Sequence, residues 1–166
     1  MELTLNWNDI KSSTLTPDAY IEKFSKKPDI ISKIENYNPR EDALSKIKQI
    51  FKSGKKSLKI LAIGAEWCPD CSIHVPEMVK IVKKMQLNEI ELKILYGVKV
   101  DPFHKKGESL WSARHSPPEA TNPKFNLAKI PTFYLFNNEG TLFGTIVEHP
   151  KNKPTLEEEI LYFLSK

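Results

Sequence analysis

Apolar positions recur at helical spacing through the first third of the chain, then give way to short continuous runs. Thr16-Pro17-Asp18 supplies an N-cap followed by proline at the first helical position, and Tyr20, Ile21 and Phe24 then share one face. Pro28 is expected to end this piece. A second short segment carries Ile30, Ile31, Ile34 and Tyr37. Asn38-Pro39 opens a third helix with Glu41 placed as in a capping box. Ala43, Leu44, Ile47, Ile50 and Phe51 keep its period, and Gly54 stops it. Residues 1–57 therefore read as an amphipathic helical extension packed on a main domain at 58–166.

From Leu58 the pattern changes. Leu58 to Ala65 is nearly continuous apolar sequence, as a buried central strand requires. After Trp67-Cys68-Pro69-Asp70-Cys71 a helix places Ile73, Met78, Val79, Ile81, Val82 and Met85 on its buried side, with Pro76 expected to kink it. Glu91 to Val100, Thr132 to Asn137 and Leu142 to Val147 read as strands, the last two joined by the turn Asn137-Asn138-Glu139-Gly140. A closing helix spans Leu156 to Leu164, with Thr155 as N-cap and Glu158 completing a capping box. The β-α-β unit implies a parallel pair with a right-handed crossover, and the hairpin adds antiparallel strands. This order predicts an α/β fold with a central mixed sheet flanked by helices. Residues 102–121 form a long polar connection containing Gly107, Pro117 and Pro118.

Composition narrows the class. The 166 residues suit one domain, and 40% hydrophobic against 28% charged residues allow a core with a polar surface. No apolar run approaches the roughly 20 residues of a membrane helix. Met1 to Lys11 lacks the basic-then-apolar pattern of a secretory signal, so a cytoplasmic protein with no membrane partner is expected. The net charge of +4 is spread over scattered pairs (Lys26-Lys27, Lys55-Lys56, Lys83-Lys84, Lys105-Lys106), which read as solvated surface and not as a nucleic-acid stripe.

The two cysteines stand three apart, too few and too close for a disulfide scaffold and too few for a closed zinc site. His74 extends the pattern to C-x-x-C-x-x-H, but without an evident fourth ligand it reads as a surface or cap histidine, and no metal is expected. A redox pair is the first reading. Cys68 follows a buried strand and opens a helix, where unpaired backbone N–H groups favour a thiolate. Cys68 is then the nucleophile and Cys71, almost a turn later, the more buried resolving thiol.

The segment Ala65-Glu66-Trp67-Cys68-Pro69-Asp70-Cys71 resembles the active-site segment of thioredoxins. Pro76, Val100-Asp101, the stretch Asn122-Pro123-Lys124-Phe125 through Ile130-Pro131-Thr132, the hairpin turn and the last helix extend the resemblance over Leu58 to Lys166. It implies a thioredoxin fold with a cis Ile130–Pro131 bond beside Cys68, and extended substrate pairing at Ile130, Pro131 and Thr132. Trp67, Pro69 and Asp70 would shape the docking surface. It also implies a protein-disulfide oxidoreductase that carries electrons through a redox-active Cys68–Cys71 disulfide and needs no bound cofactor. Its partners would be protein thiols and disulfides and an electron donor such as a thioredoxin reductase, with the protein acting as a monomer.

The departures matter as much. Pro69-Asp70 replaces the common Gly-Pro pair; Asp70 either repels a nearby thiolate or accepts N–H bonds at the helix start, and a reducing couple is expected. The aspartate that thioredoxins bury beneath the resolving cysteine falls at Ala62, its lysine partner at Gly97, and the late glycine near Glu148. Glu66 is the nearest carboxylate in sequence, at a place where the family is ordinarily exposed. The 102–121 insertion, with His104, Trp111, Arg114 and His115, is either a specificity loop or a solvated connection anchored by one tryptophan. The missing aspartate leaves open a redox-sensing adaptor with little turnover, and Cys68, Cys71 and His74 leave open a metal chaperone.

Overall fold

The computed structural model describes residues 4–54 and 56–166; Met1–Leu3 and Lys55, which belong to the polar start and to the Lys55-Lys56 pair, lie outside the described residues. The helical first third forms α1 (Pro17–Lys23), α2 (Pro28–Asn36) and α3 (Glu41–Gly54). Thr16 Oγ1 caps α1 by accepting the Ala19 N–H at 3.1 Å. Pro28 begins α2 instead of ending α1, because its missing N–H is no loss at a first helical position. α3 starts later than Asn38-Pro39 suggests. Glu41 turns outward to Lys84 at 2.7 Å and so does not close a capping box.

The main sheet contains β1 (Leu58–Ile63), β2 (Ile90–Leu95), β3 (Thr132–Phe136) and β4 (Leu142–Val147), in the order β2-β1-β3-β4. β1 runs parallel to β2, with Leu58 opposite Ile90 and Ile63 opposite Leu95, while β3 is antiparallel to both β1 and β4. α4 (Pro69–Met85) makes the crossover and α5 (Leu156–Leu164) closes the chain. Strand β2 stops at Leu95, short of Val100, because Gly97 adopts φ +110° and turns the chain; Val100 instead bridges Trp111 in the insertion.

All of β3 and nearly all of β1 are buried, as expected for central strands. α2 packs on α4, α3 on α5, and α1 on both β2 and α4. Tyr20, Phe24, Ile30, Leu44, Ile47 and Phe51 of the helical extension join the same hydrophobic cluster as the sheet. Ahead of α1, Leu15 exchanges backbone hydrogen bonds of 2.8 and 2.9 Å with Ile94, which covers the edge of β2.

Two buried carboxylates fasten these pieces. Glu119 accepts the Lys11 and Ser12 N–H groups at 2.8 and 3.0 Å and the Ser12 hydroxyl at 2.6 Å, tying the insertion to the N-terminal segment. Glu157 of α5 accepts the Tyr37 hydroxyl and the Arg40 N–H, holding the α2–α3 link. Truncating Glu157 leaves both donors without an acceptor. Glu157→Ala is therefore expected to lose about 2 to 4 kcal/mol of stability, and an unchanged urea midpoint would contradict this staple role.

Candidate active site

The site begins where β1 ends. Gly64 and Ala65 lead to Trp67, and Cys68 takes the N-cap of α4 in an extended conformation. Its Sγ accepts the Cys71 N–H at 3.2 Å, satisfying one of the unpaired donors of the first turn. Pro69 occupies the first helical position, where its ring fits the required φ. Further along, the buried Pro76 lacks the N–H that would bond the Ser72 carbonyl.

Both cysteines are free thiols; Cys68 is 5% exposed and Cys71 fully buried. Burial pushes the Cys71 thiol well above its usual range, and the adjoining Cys68 sulfur and the Asp70 charge push the same way, against the Ala65 N–H. Space for this sulfur comes from Gly64. A Cβ there would lie 2.8 Å from Cys71 Sγ and 3.0 Å from Tyr96 Cε1, closer than packed atoms tolerate. Ala62 is fully buried and apolar, and Gly97 is a left-handed turn, so the carboxylate–lysine pair has no counterpart at those two positions.

The Ile130–Pro131 bond is cis. Cys68 Sγ lies 3.7 Å from the Ile130 carbonyl, toward which it donates. Thr132 is buried, and its hydroxyl donates to the Lys129 carbonyl at 2.7 Å. The Glu148 N–H donates to the Pro131 carbonyl at 2.6 Å, and Glu148 holds φ +66°, a conformation that favours glycine. Trp67 is half exposed and its indole N–H donates to the Val98 carbonyl at 2.8 Å. Asp70 stands exposed in the first turn of α4, with its carboxylate making no hydrogen bond to the helix start.

Other sequence candidates divide. Glu66 is half exposed and paired with Lys23 and Lys27 at 3.6 and 3.7 Å. Its neighbour Trp67 lines a groove of about 710 Å³ with Glu66, Lys23, Lys27 and Lys99. Trp111 is buried and donates its indole N–H to the Leu127 carbonyl at 2.7 Å, fixing the insertion to the stretch before Pro131. His104, Arg114 and His115 are exposed and stay apart from the sulfurs in the contacts they make. His74 Nδ1 engages Glu77 at 2.6 Å, and among the described residues no cluster of His, Cys, Asp and Glu is arranged to hold a metal ion.

Gly64, Tyr96 and the Val98 carbonyl were not singled out from sequence. The Gly64-Ala65 pair, separated from Trp67 by Glu66, is the available signal, since small residues there leave room for a sulfur. Two outcomes follow from this geometry. Because the Cys71 thiol is pushed up, iodoacetamide at about pH 7 should label Cys68 well before Cys71, with Cys71 catching up only as pH rises; equal rates would contradict the burial argument. Gly64→Ala drives a methyl into Cys71 Sγ and the Tyr96 ring and should cost about 1 to 3 kcal/mol, a thermal shift absent if that contact relaxes freely.

A crystal structure of an HIV epitope-scaffold superposes with a TM-score of 0.56 at 18% identity, covering 90% of this chain and 84% of that one. A protein of unknown function from Pseudomonas aeruginosa gives a TM-score of 0.48 at 20% identity, covering 98% of this chain and 91% of that one. No curated protein matches the chain. The family model described as Thioredoxin matches residues 14–97, which run from the segment before α1 through the paired cysteines to the end of β2. The chain belongs to the thioredoxin family.

Proposed function

We propose that this protein is a thiol–disulfide oxidoreductase that reduces disulfides in protein substrates. The observation that carries the reading is the short approach of Cys71 to Cys68: the Cys71 N–H sits 3.2 Å from Cys68 Sγ, with both sulfurs free at the first turn of α4. Family membership supports a redox role.

Cys68, as thiolate, attacks one sulfur of a substrate disulfide. A bond forms between Cys68 and that sulfur, and the other substrate sulfur leaves with the electron pair. Cys71, once deprotonated, attacks Cys68 Sγ. The Cys68–Cys71 bond forms, and the second substrate sulfur departs as thiolate. Two electrons have moved to the substrate. An external dithiol donor, such as a thioredoxin reductase, restores the pair, so no bound cofactor is needed. The substrate lies extended along Ile130, Pro131 and Thr132, beside half-exposed Trp67, with its disulfide over Cys68. The protein works as a monomer in the cytoplasm.

Ala62 favours a second reading, a redox-sensing adaptor, because a missing buried proton acceptor slows turnover. Dithiothreitol-driven reduction of insulin separates the two. The wild type should be active, Cys68→Ser inactive, and Cys71→Ser should accumulate mixed disulfides on Cys68. A wild type with no activity above dithiothreitol alone would overturn the oxidoreductase reading.

A further inference from the structure

The groove beside Trp67 is walled by the three residues ahead of Cys68, by Lys23 of α1, by residues 13–15 and by the turn at Gly97. Residues 13–15 are held there by the backbone pairing of Leu15 with Ile94. Its charges are unequal. Lys23, Lys27 and Lys99 face a single carboxylate, Glu66, which Lys23 and Lys27 share at 3.6 and 3.7 Å. The Lys23 and Lys27 ammonium groups also lie 5.8 and 5.5 Å from the centre of the Phe24 ring, so an aromatic face and a carboxylate position both heads. Lys99 arrives separately, just past the Gly97 turn, with its N–H donating to Ser116 Oγ at 2.9 Å. The adjoining cleft shares Lys27 and Glu66 and adds Lys26 and Asp29, a balanced pair, while Asp70 lines neither. Two positive charges are left over beside the nucleophile.

Lysines scattered over a solvated surface need no partner. These three differ. They come from α1, from the start of α2 and from the chain beyond β2, yet they line one concave site. That site also holds half-exposed Trp67, the residue next to the attacking sulfur. We propose that the groove receives an acidic segment of the substrate protein, next to the disulfide that Cys68 attacks. The proposal deepens the exchange reading above and rests on it. Trp67 and Leu15 offer apolar surface to the incoming chain, and the surplus ammonium groups attract its carboxylates and fix its register. Glu66 limits that attraction, because it engages two of the three lysines. The groove adds no chemical step of its own; Cys68 and Cys71 exchange as described.

Short peptides closed by a single disulfide and flanked by runs of glutamate, glutamine or lysine test this. Pre-reduced protein is mixed with each, and the opening of the peptide disulfide is followed in a single turnover at low salt. The glutamate peptide should react about tenfold faster than the glutamine peptide, and the lysine peptide more slowly than either. Raising the salt to about 0.5 M should remove most of the difference. Lys99→Glu should bring the glutamate-to-glutamine ratio down to about one or two, and Glu66→Gln should raise it about two- to threefold. Shifts of opposite sign do not follow from loosened packing. Lys52→Glu changes the net charge as much as Lys99→Glu, but Lys52 lines a different cleft with Leu161 of α5, so the ratio should stay at the wild-type value. Equal rates for the glutamate and glutamine peptides overturn the proposal and leave the exchange reading standing. So does a loss in Lys52→Glu as large as in Lys99→Glu, the mark of steering by net charge. Oxidised glutathione opened as fast as the glutamate peptide, with the same loss in Lys99→Glu, also overturns it and assigns the groove to a small anionic disulfide. If none of the peptides is opened, the exchange reading falls, and the groove proposal with it.

Discussion

The site depends on one backbone contact: the Cys71 N–H pointing at Cys68 Sγ. A helix start leaves donors that need acceptors, and here a sulfur takes the place that serine or aspartate usually fills. That substitution fixes the spacing of the two thiols and orients Cys68 Sγ toward the Ile130 carbonyl. The arrangement survives only because β1 is followed by Gly64, whose missing side chain leaves space for the Cys71 sulfur between strand and helix. Strand, turn and helix are thus coupled through a gap the size of one methyl group.

The helical extension is bound to this centre by more than apolar packing. Glu157 reaches from α5 to the α2–α3 link, Glu119 from the insertion to the segment before α1, and Leu15 pairs with the edge of β2. Each tie satisfies partly buried backbone donors that would otherwise oppose folding. Their joint effect is to seat α1 against β2 and α4, where Tyr20 meets Tyr96. The insertion is held from the other side by the Trp111 indole on the Leu127 carbonyl, three residues before Ile130. Both additions to the sheet therefore end near the paired sulfurs.

Elements with a strong local signal were legible in the sequence. β4 and α5 fall at Leu142–Val147 and Leu156–Leu164, because a turn with Gly140 at φ +81° and a Thr155 cap are local devices. The paired cysteines and their place on α4 were equally plain. Boundaries set by tertiary contacts were not. β2 stops at Leu95 because Gly97 turns the chain, and Glu41 leaves its expected cap because Lys84 lies within reach. At α5 the Glu158 carboxylate takes the Thr155 hydroxyl at 2.9 Å, a variation on the reciprocal cap. The Tyr20–Tyr96 contact joins residues separated by 76 positions, and no periodicity encodes such a meeting.

Burial of Cys71 sets a difficulty that the rest of the centre has to accommodate. Its thiol is driven upward by burial, by the adjoining Cys68 sulfur and by the Asp70 charge, while the fully buried Ala62 places no carboxylate at the position where thioredoxins carry one. The helices ahead of β1 shape these surroundings. α1 sets Tyr20 and Phe24 edge-on to Tyr96, whose ring borders the space that Gly64 leaves open. Tyr20, Tyr96, Glu66 and Ser72 line one cleft, so two of its walls come from the extension and the active-site helix. The family match that begins at residue 14 and ends at residue 97 takes in the three helices of the extension and both sulfurs, so the extension and the active-site helix form one unit of the fold.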